Sequence, residues 1–175
     1  GAGPIADAFF IAFKVPNVFR RLFAEGAFNA AFVPLFAQKL EENEKSEAHL
    51  FVNQALAFLF WVLLILTIIL ELTMPWAMRL FAPGFVDDMA KFDLAVYLTR
   101  ITFPYLLFIS IVSLMAGVLN TLSKFAAAAA TPVLLNLCLI GAILFLTPFV
   151  PTPADALAWG VFVAGIIQFL WLYYY

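Results

Sequence analysis

The sequence predicts an all-α fold, a polytopic transmembrane helix bundle, and three observations carry that prediction. Of the 175 residues, 66% are hydrophobic and only 11% are charged, against about half and a quarter in an ordinary soluble domain. Four apolar segments approach or exceed the roughly 20 residues that cross a hydrocarbon core of about 30 Å. The connections between them are short, as in a bundle. The formal net charge of −2, with no basic run, gives no argument for a nucleic-acid partner. The single cysteine, Cys138, excludes a disulfide within the chain and a metal site built on cysteines. The chain opens at Gly1 with no basic, signal-like segment, so no signal peptide is expected. Both ends, Gly1 and Tyr175, read as cuts through a longer protein.

Helices are expected at about 5–40, 49–73, 92–120, 131–149 and 154–175. The first is polar and interrupted by Pro16 and Pro34. The second, Leu50 to Leu72, is almost unbroken, with Asn53 and Gln54 near its start and Glu71 near its end. The third contains Arg100 and Pro104, and a proline in a spanning helix predicts a kink. The fourth begins at Thr131-Pro132, a proline suited to a first helical turn. The fifth carries Trp159 and Trp171 towards its two ends, where amphipathic rings favour the water interface.

Between the helices, Gln38 to His49 is the charge-dense stretch and belongs in water, and Pro83-Gly84 marks a turn. Lys39, Lys45 and Lys124 lie on one side of the expected topology, Arg79 and Lys91 on the other. This bias places the loops at 38–49 and 121–130 in the cytoplasm.

The segment Asp7 to Pro34, DAFFIAFKVPNVFRRLFAEGAFNAAFVP, sets Asp7, Lys14, Asn17, Arg20, Arg21 and Glu25 among phenylalanines. Each ionisable group in a spanning helix costs about 2.5–3.5 kcal/mol on insertion scales and normally faces a bundle interior or a water-filled cavity. Asp7, Lys14, Arg21 and Glu25 are spaced seven, seven and four apart, which aligns them on one helical stripe. Arg20 and Arg21 point about 100° apart on a regular helix. An arginine fork suits a phosphate ligand and stays charged when desolvated. Two other readings stay open: Arg20, Arg21 and Glu25 as snorkelling interface anchors, and Asp7 with Lys14 as a buried structural pair. Arg100 reads as structural, and Asn120, Asn136 and Gln168 as interhelical hydrogen-bond partners. No catalytic, metal or nucleotide motif is present, so neither enzymatic activity nor a cofactor is expected.

The run GAGPIADAFFIAFKVPNVFRRLFAEGAFNAAFVPLFAQKL closely resembles the second transmembrane helix of the MurJ (MviN) family, lipid II flippases of the MOP exporter superfamily. ITFPYLLFISIVSLMAGVLNTLSKF followed by TPVLLN resembles the family's fourth helix and the start of its fifth. The resemblance implies a fragment of the N-terminal lobe, about five helices of a fourteen-helix transporter in the bacterial inner membrane. It implies lipid II as the substrate, its polyprenyl tail left among membrane lipids, and the remaining helices of the full transporter as partners. Asp7 matches the acid of the family's DAFF motif, Arg20 and Arg21 its paired arginines, and Glu25-Gly26 its AEGAF turn. The implied roles are Arg20 towards the diphosphate, Asp7 as an ion-pair or gating partner, and Arg21 and Glu25 shaping a helix bend. Lys14 and Asn17 complete the expected cavity wall. Ala6, Asn29-Ala30 and Lys124 depart from the family's frequent Thr, Ser-Gln and Arg. The rival functions are export of another polyprenyl-linked glycan or a drug, and a non-transporting scaffold for cell-wall synthesis.

Overall fold

A computed structural model of the chain describes residues 3–22, 27–42 and 45–175, and these are helical with no strand among them. In order, the helices are α1 (Pro4–Arg20), α2 (Ala27–Glu41), α3 (Lys45–Phe81), α4 (Met89–Thr102), α5 (Tyr105–Thr121), α6 (Phe125–Ala129), α7 (Thr131–Leu146) and α8 (Pro153–Tyr174). Stretches 46–81, 125–149 and 153–174 are each long and apolar enough to span a membrane. The α4–α5 pair is long and apolar enough only when taken together, and it is bent by 40° where Pro104 interrupts it.

The segment expected as one helix over 5–40 is described as α1 and α2. Neither of its prolines ends a helix: Pro16 lies inside α1 and Pro34 inside α2. At Arg21 and Leu22 the backbone widens into a π turn, an arrangement frequent at functional sites. Nor does Pro75 end α3, which runs 37 residues from Lys45 to Phe81 and leaves only 82–88 as the connection to α4. Near the far end of α3 the Arg79 guanidinium lies 5.1 Å from the centre of the Trp76 ring.

Pro16 shows how such a helix is held together. Lacking an N–H, it cannot donate to the carbonyl four residues back, that of Ala12. The Thr102 hydroxyl of α4 donates to that carbonyl instead, at 2.6 Å and fully buried. The close approach is allowed by small residues: Ala8 and Ala12 of α1 and Ala95 of α4 are all fully buried. The main core extends from this seam through Leu59, Leu63, Met74 and Met78 of α3 to Phe103 and Leu106.

A second tie joins the same two helices nearer their starts. Lys91 of α4 reaches Asp7 of α1 at 2.8 Å, its side chain 19% exposed and that of Asp7 41%. The ammonium also lies 4.2 Å from the centre of the Phe85 ring, a cation–π contact that shields it. Asp7 is thus tied to α4, and the alternative of an Asp7–Lys14 pair within one helix is not what the structure forms.

Helix ends follow ordinary capping chemistry. Thr152 and Asp155 form a reciprocal capping box at the start of α8, satisfying two otherwise unpaired donors. At the end of α5, Lys124 N–H donates to Leu119 O and Ser123 N–H to Asn120 O, a Schellman closure in which Ser123 takes the left-handed φ of 62° usual for glycine. α8 packs closely on its neighbours through two glycines. A Cβ on Gly160 would come within 2.7 Å of the Ala142 side chain, and one on Gly165 within 2.8 Å of the Tyr105 ring.

Two measurements test these ties. Thr102→Val leaves the Ala12 carbonyl buried and unpaired, so thermal unfolding in detergent is expected to report a loss of about 1–3 kcal/mol. Restoring the backbone donor with Pro16→Ala should make the same Thr102→Val change much less costly; an equal cost in both backgrounds would show that the hydroxyl does not serve that carbonyl. A double-mutant cycle of Asp7→Ala with Lys91→Ala is expected to give a coupling near 1 kcal/mol, as befits a partly exposed pair.

Candidate functional site

α1 has two working faces. Ala8, Ala12 and Val15 recur at steps of four and three and turn into the core. The opposite side, with Phe10, Phe13, Lys14, Asn17 and Val18, forms one wall of a cleft of about 740 Å³. The other walls come from Tyr105 and Ile109 of α5, from Thr131, Pro132 and Leu135 at the start of α7, and from Gln168 of α8.

Arg20 and Arg21 both line this cleft, although a regular helix would turn them about 100° apart. The widened turn begins at Arg21, whose N–H is shared between the carbonyls of Asn17 and Val18. Arg20 is half-buried, while Lys14 and Arg21 are exposed. The Asn17 amide donates to the Phe13 carbonyl at 2.8 Å, which pins its side chain along the helix. Three cations and no carboxylate are therefore found among the described lining residues. Apolar walls around such a cluster concentrate its field on an incoming anion.

The back wall is polar as well. Gln168 is only 1% exposed and donates through Nε2 to the Thr131 carbonyl at 2.7 Å. Tyr105 lies within hydrogen-bonding reach of the Gln168 side chain and close enough to Arg20 to feel its charge. Gly165, one helical turn before Gln168, lets α8 approach the Tyr105 ring.

Of the residues singled out from sequence, the structure gathers Lys14, Asn17, Arg20 and Arg21 around one cleft. Asp7 is not among its lining residues; it is committed to Lys91 at another part of α1. Glu25 and Gly26 lie outside the described residues. Tyr105 and Thr131 had no individual signal in the sequence. Gln168 did have one, an amide within an apolar helix, and it is both an interhelical partner and a lining residue. Elsewhere, Glu71 of α3 is near enough to Arg100 of α4 to interact with it electrostatically. Glu71 Oε1 and Thr67 Oγ1 are buried there without a hydrogen-bond partner. Among the described residues, no three His, Cys, Asp or Glu gather in a way that could hold a metal ion.

Comparison with known proteins agrees with a membrane bundle. The family model described as "Lipid II flippase MurJ" matches residues 1–175. A probable lipid II flippase MurJ of Rhizobium tropici is 49% identical over 177 aligned residues, covering 99% of this chain and 33% of that protein. The corresponding protein of Rhizobium meliloti is 50% identical, covering 96% of the chain and 32% of the relative. The lipid II flippase MurJ of Burkholderia cenocepacia is 42% identical, covering 97% and 33%. The chain thus spans about a third of the length of these relatives. With every residue inside the family model and nearly the whole chain aligned at 42–50% identity, this chain belongs to the lipid II flippase MurJ family.

Proposed function

We propose that the chain supplies one wall of the central cavity of a transporter that moves lipid II across the bacterial inner membrane. The observation that carries this reading is the cleft itself, which Lys14, Arg20 and Arg21 line together within a membrane bundle. Cations in that setting are costly unless they serve a ligand or a pathway. A polyprenyl-linked diphosphate is the matching ligand, with an anionic headgroup for the cleft and an apolar tail that never has to leave lipid.

Within this reading, Arg20 is the principal diphosphate contact, because its guanidinium can donate two parallel hydrogen bonds. Lys14 and Arg21, the more exposed cations, draw the anion in and share its charge. Asn17 shapes the wall between them. Asp7, through Lys91, holds α1 at its angle to α4 and so acts on the cleft from a distance. The remaining helices of the full-length protein close the cavity from the other side, and rocking of the two lobes exposes it to each side of the membrane in turn. Such a cycle moves the headgroup without making or breaking a covalent bond, so the protein works as a transporter and not as an enzyme.

Arg20→Ala in the full-length protein is expected to abolish complementation of a strain depleted of its own lipid II flippase, with membrane insertion unchanged. Loss of a charge-assisted hydrogen bond of this kind corresponds to roughly a 10- to 100-fold weaker headgroup contact. Normal growth with the substitution would overturn the assignment. Arg20→Lys, which keeps the charge and loses the fork, should restore only part of the function.

A further inference from the structure

The floor of the cleft holds an amide that the diphosphate reading leaves unused. Gln168 is almost completely buried, and the Thr131 carbonyl fixes which way its amide points, since only Nε2 can donate to it. Oε1 is then turned elsewhere, and it is buried without a hydrogen-bond partner. An orphaned acceptor of this kind calls for an explanation, because nearly all buried polar atoms are paired. The Tyr105 hydroxyl lies within hydrogen-bonding reach of the same Gln168 side chain and can both donate and accept. Gly165 keeps the Tyr105 ring tight against α8. Amide and hydroxyl are neutral and held by packing, and both residues line the cleft that Arg20 lines.

We propose that Gln168 and Tyr105 form a sugar subsite, receiving the first glycosyl residue of the headgroup beside the diphosphate held by Arg20. The proposal rests on the lipid II reading above and deepens it. A sugar hydroxyl or an acetamido N–H donates to Gln168 Oε1, and the Tyr105 hydroxyl donates to a sugar carbonyl or hydroxyl oxygen. A bare polyprenyl diphosphate satisfies the cations but leaves the orphaned acceptor unpaired. A site built to hydrogen-bond a group discriminates against an analogue that lacks it. The pair therefore acts as a check that a lipid carrier is loaded with its glycan, and the cations alone cannot make that distinction.

The test uses the full-length protein and two probes, purified lipid II and the bare polyprenyl diphosphate of the same chain length, with binding read by native mass spectrometry. Wild type is expected to prefer lipid II by roughly 10-fold or more. Gln168→Leu and Tyr105→Phe should each remove most of that preference by weakening lipid II binding alone, while Arg20→Ala weakens both lipids. Tyr105→Phe keeps the ring that packs on Gly165, so it reports the hydroxyl even if Gln168→Leu folds poorly. Equal weakening of both lipids by Tyr105→Phe, or no change in either, would overturn the subsite while leaving the diphosphate reading in place. Absence of wild-type binding to either lipid would overturn the reading on which the proposal depends, and the proposal with it.

Discussion

In hydrocarbon there is no water to satisfy a backbone group that secondary structure has released. The Thr102–Ala12 hydrogen bond answers that constraint at the point where the bundle most needs it. Pro16 frees the Ala12 carbonyl in the helix that bears the cations, and Thr102 comes from the helix most extensively packed against it. Because the acceptor is a main-chain atom, the bond fixes the axial position of α1 relative to α4. Every side chain that α1 presents inherits that register, including Lys14, Asn17, Arg20 and Arg21.

The division of α1 into a small-residue face and a cationic face follows from the same geometry. Ala8 and Ala12 permit a close seam only because they lack bulk, and the polar residues are carried away from the seam by helical periodicity. The Asp7–Lys91 pair strengthens the seam at its other end, with Phe85 covering the ammonium. Cleft-lining and packing side chains thus occupy one helix without competing for the same positions. The π turn at Arg21 is the local exception, a departure from regular helix that accompanies two adjacent arginines lining one cleft.

Much of the bundle was legible in the sequence because apolar runs are a strong signal in a chain of this composition. The bend at Pro104 and the helix start at Thr131-Pro132 could be placed from single residues. Prolines gave weaker guidance to helix ends: Pro16, Pro34 and Pro75 all lie within helices. In the case of Pro16 the compensating partner sits 86 residues later in the chain, as Thr102, where no local pattern reveals it. The cationic half of the cleft could be anticipated from charges among phenylalanines. Of its neutral half only Gln168 was conspicuous, as an interhelical hydrogen-bond partner; Tyr105, Thr131 and Gln168 belong to three different helices and become neighbours only when α8 closes on α5 and α7. Asp7 illustrates the converse, since its charge was conspicuous but its partner, Lys91, lay in a segment that reads as a loop followed by an ordinary helix.

The length of α3 bears on how the bundle sits in its membrane. At 37 residues it is about 55 Å long, well beyond the roughly 30 Å of hydrocarbon. Its ends must therefore reach through the headgroup layers or take up a tilt. The Trp76–Arg79 contact near one end is the type of pairing that prefers that layer. No described side chain of α3 lines the cleft, yet α3 packs on α4 and α5, and α4 is the helix to which α1 is bonded. The longest helix thereby acts as a keel: bilayer thickness, transmitted through a helix outside the cleft, bears on the depth at which α1 and its arginines sit.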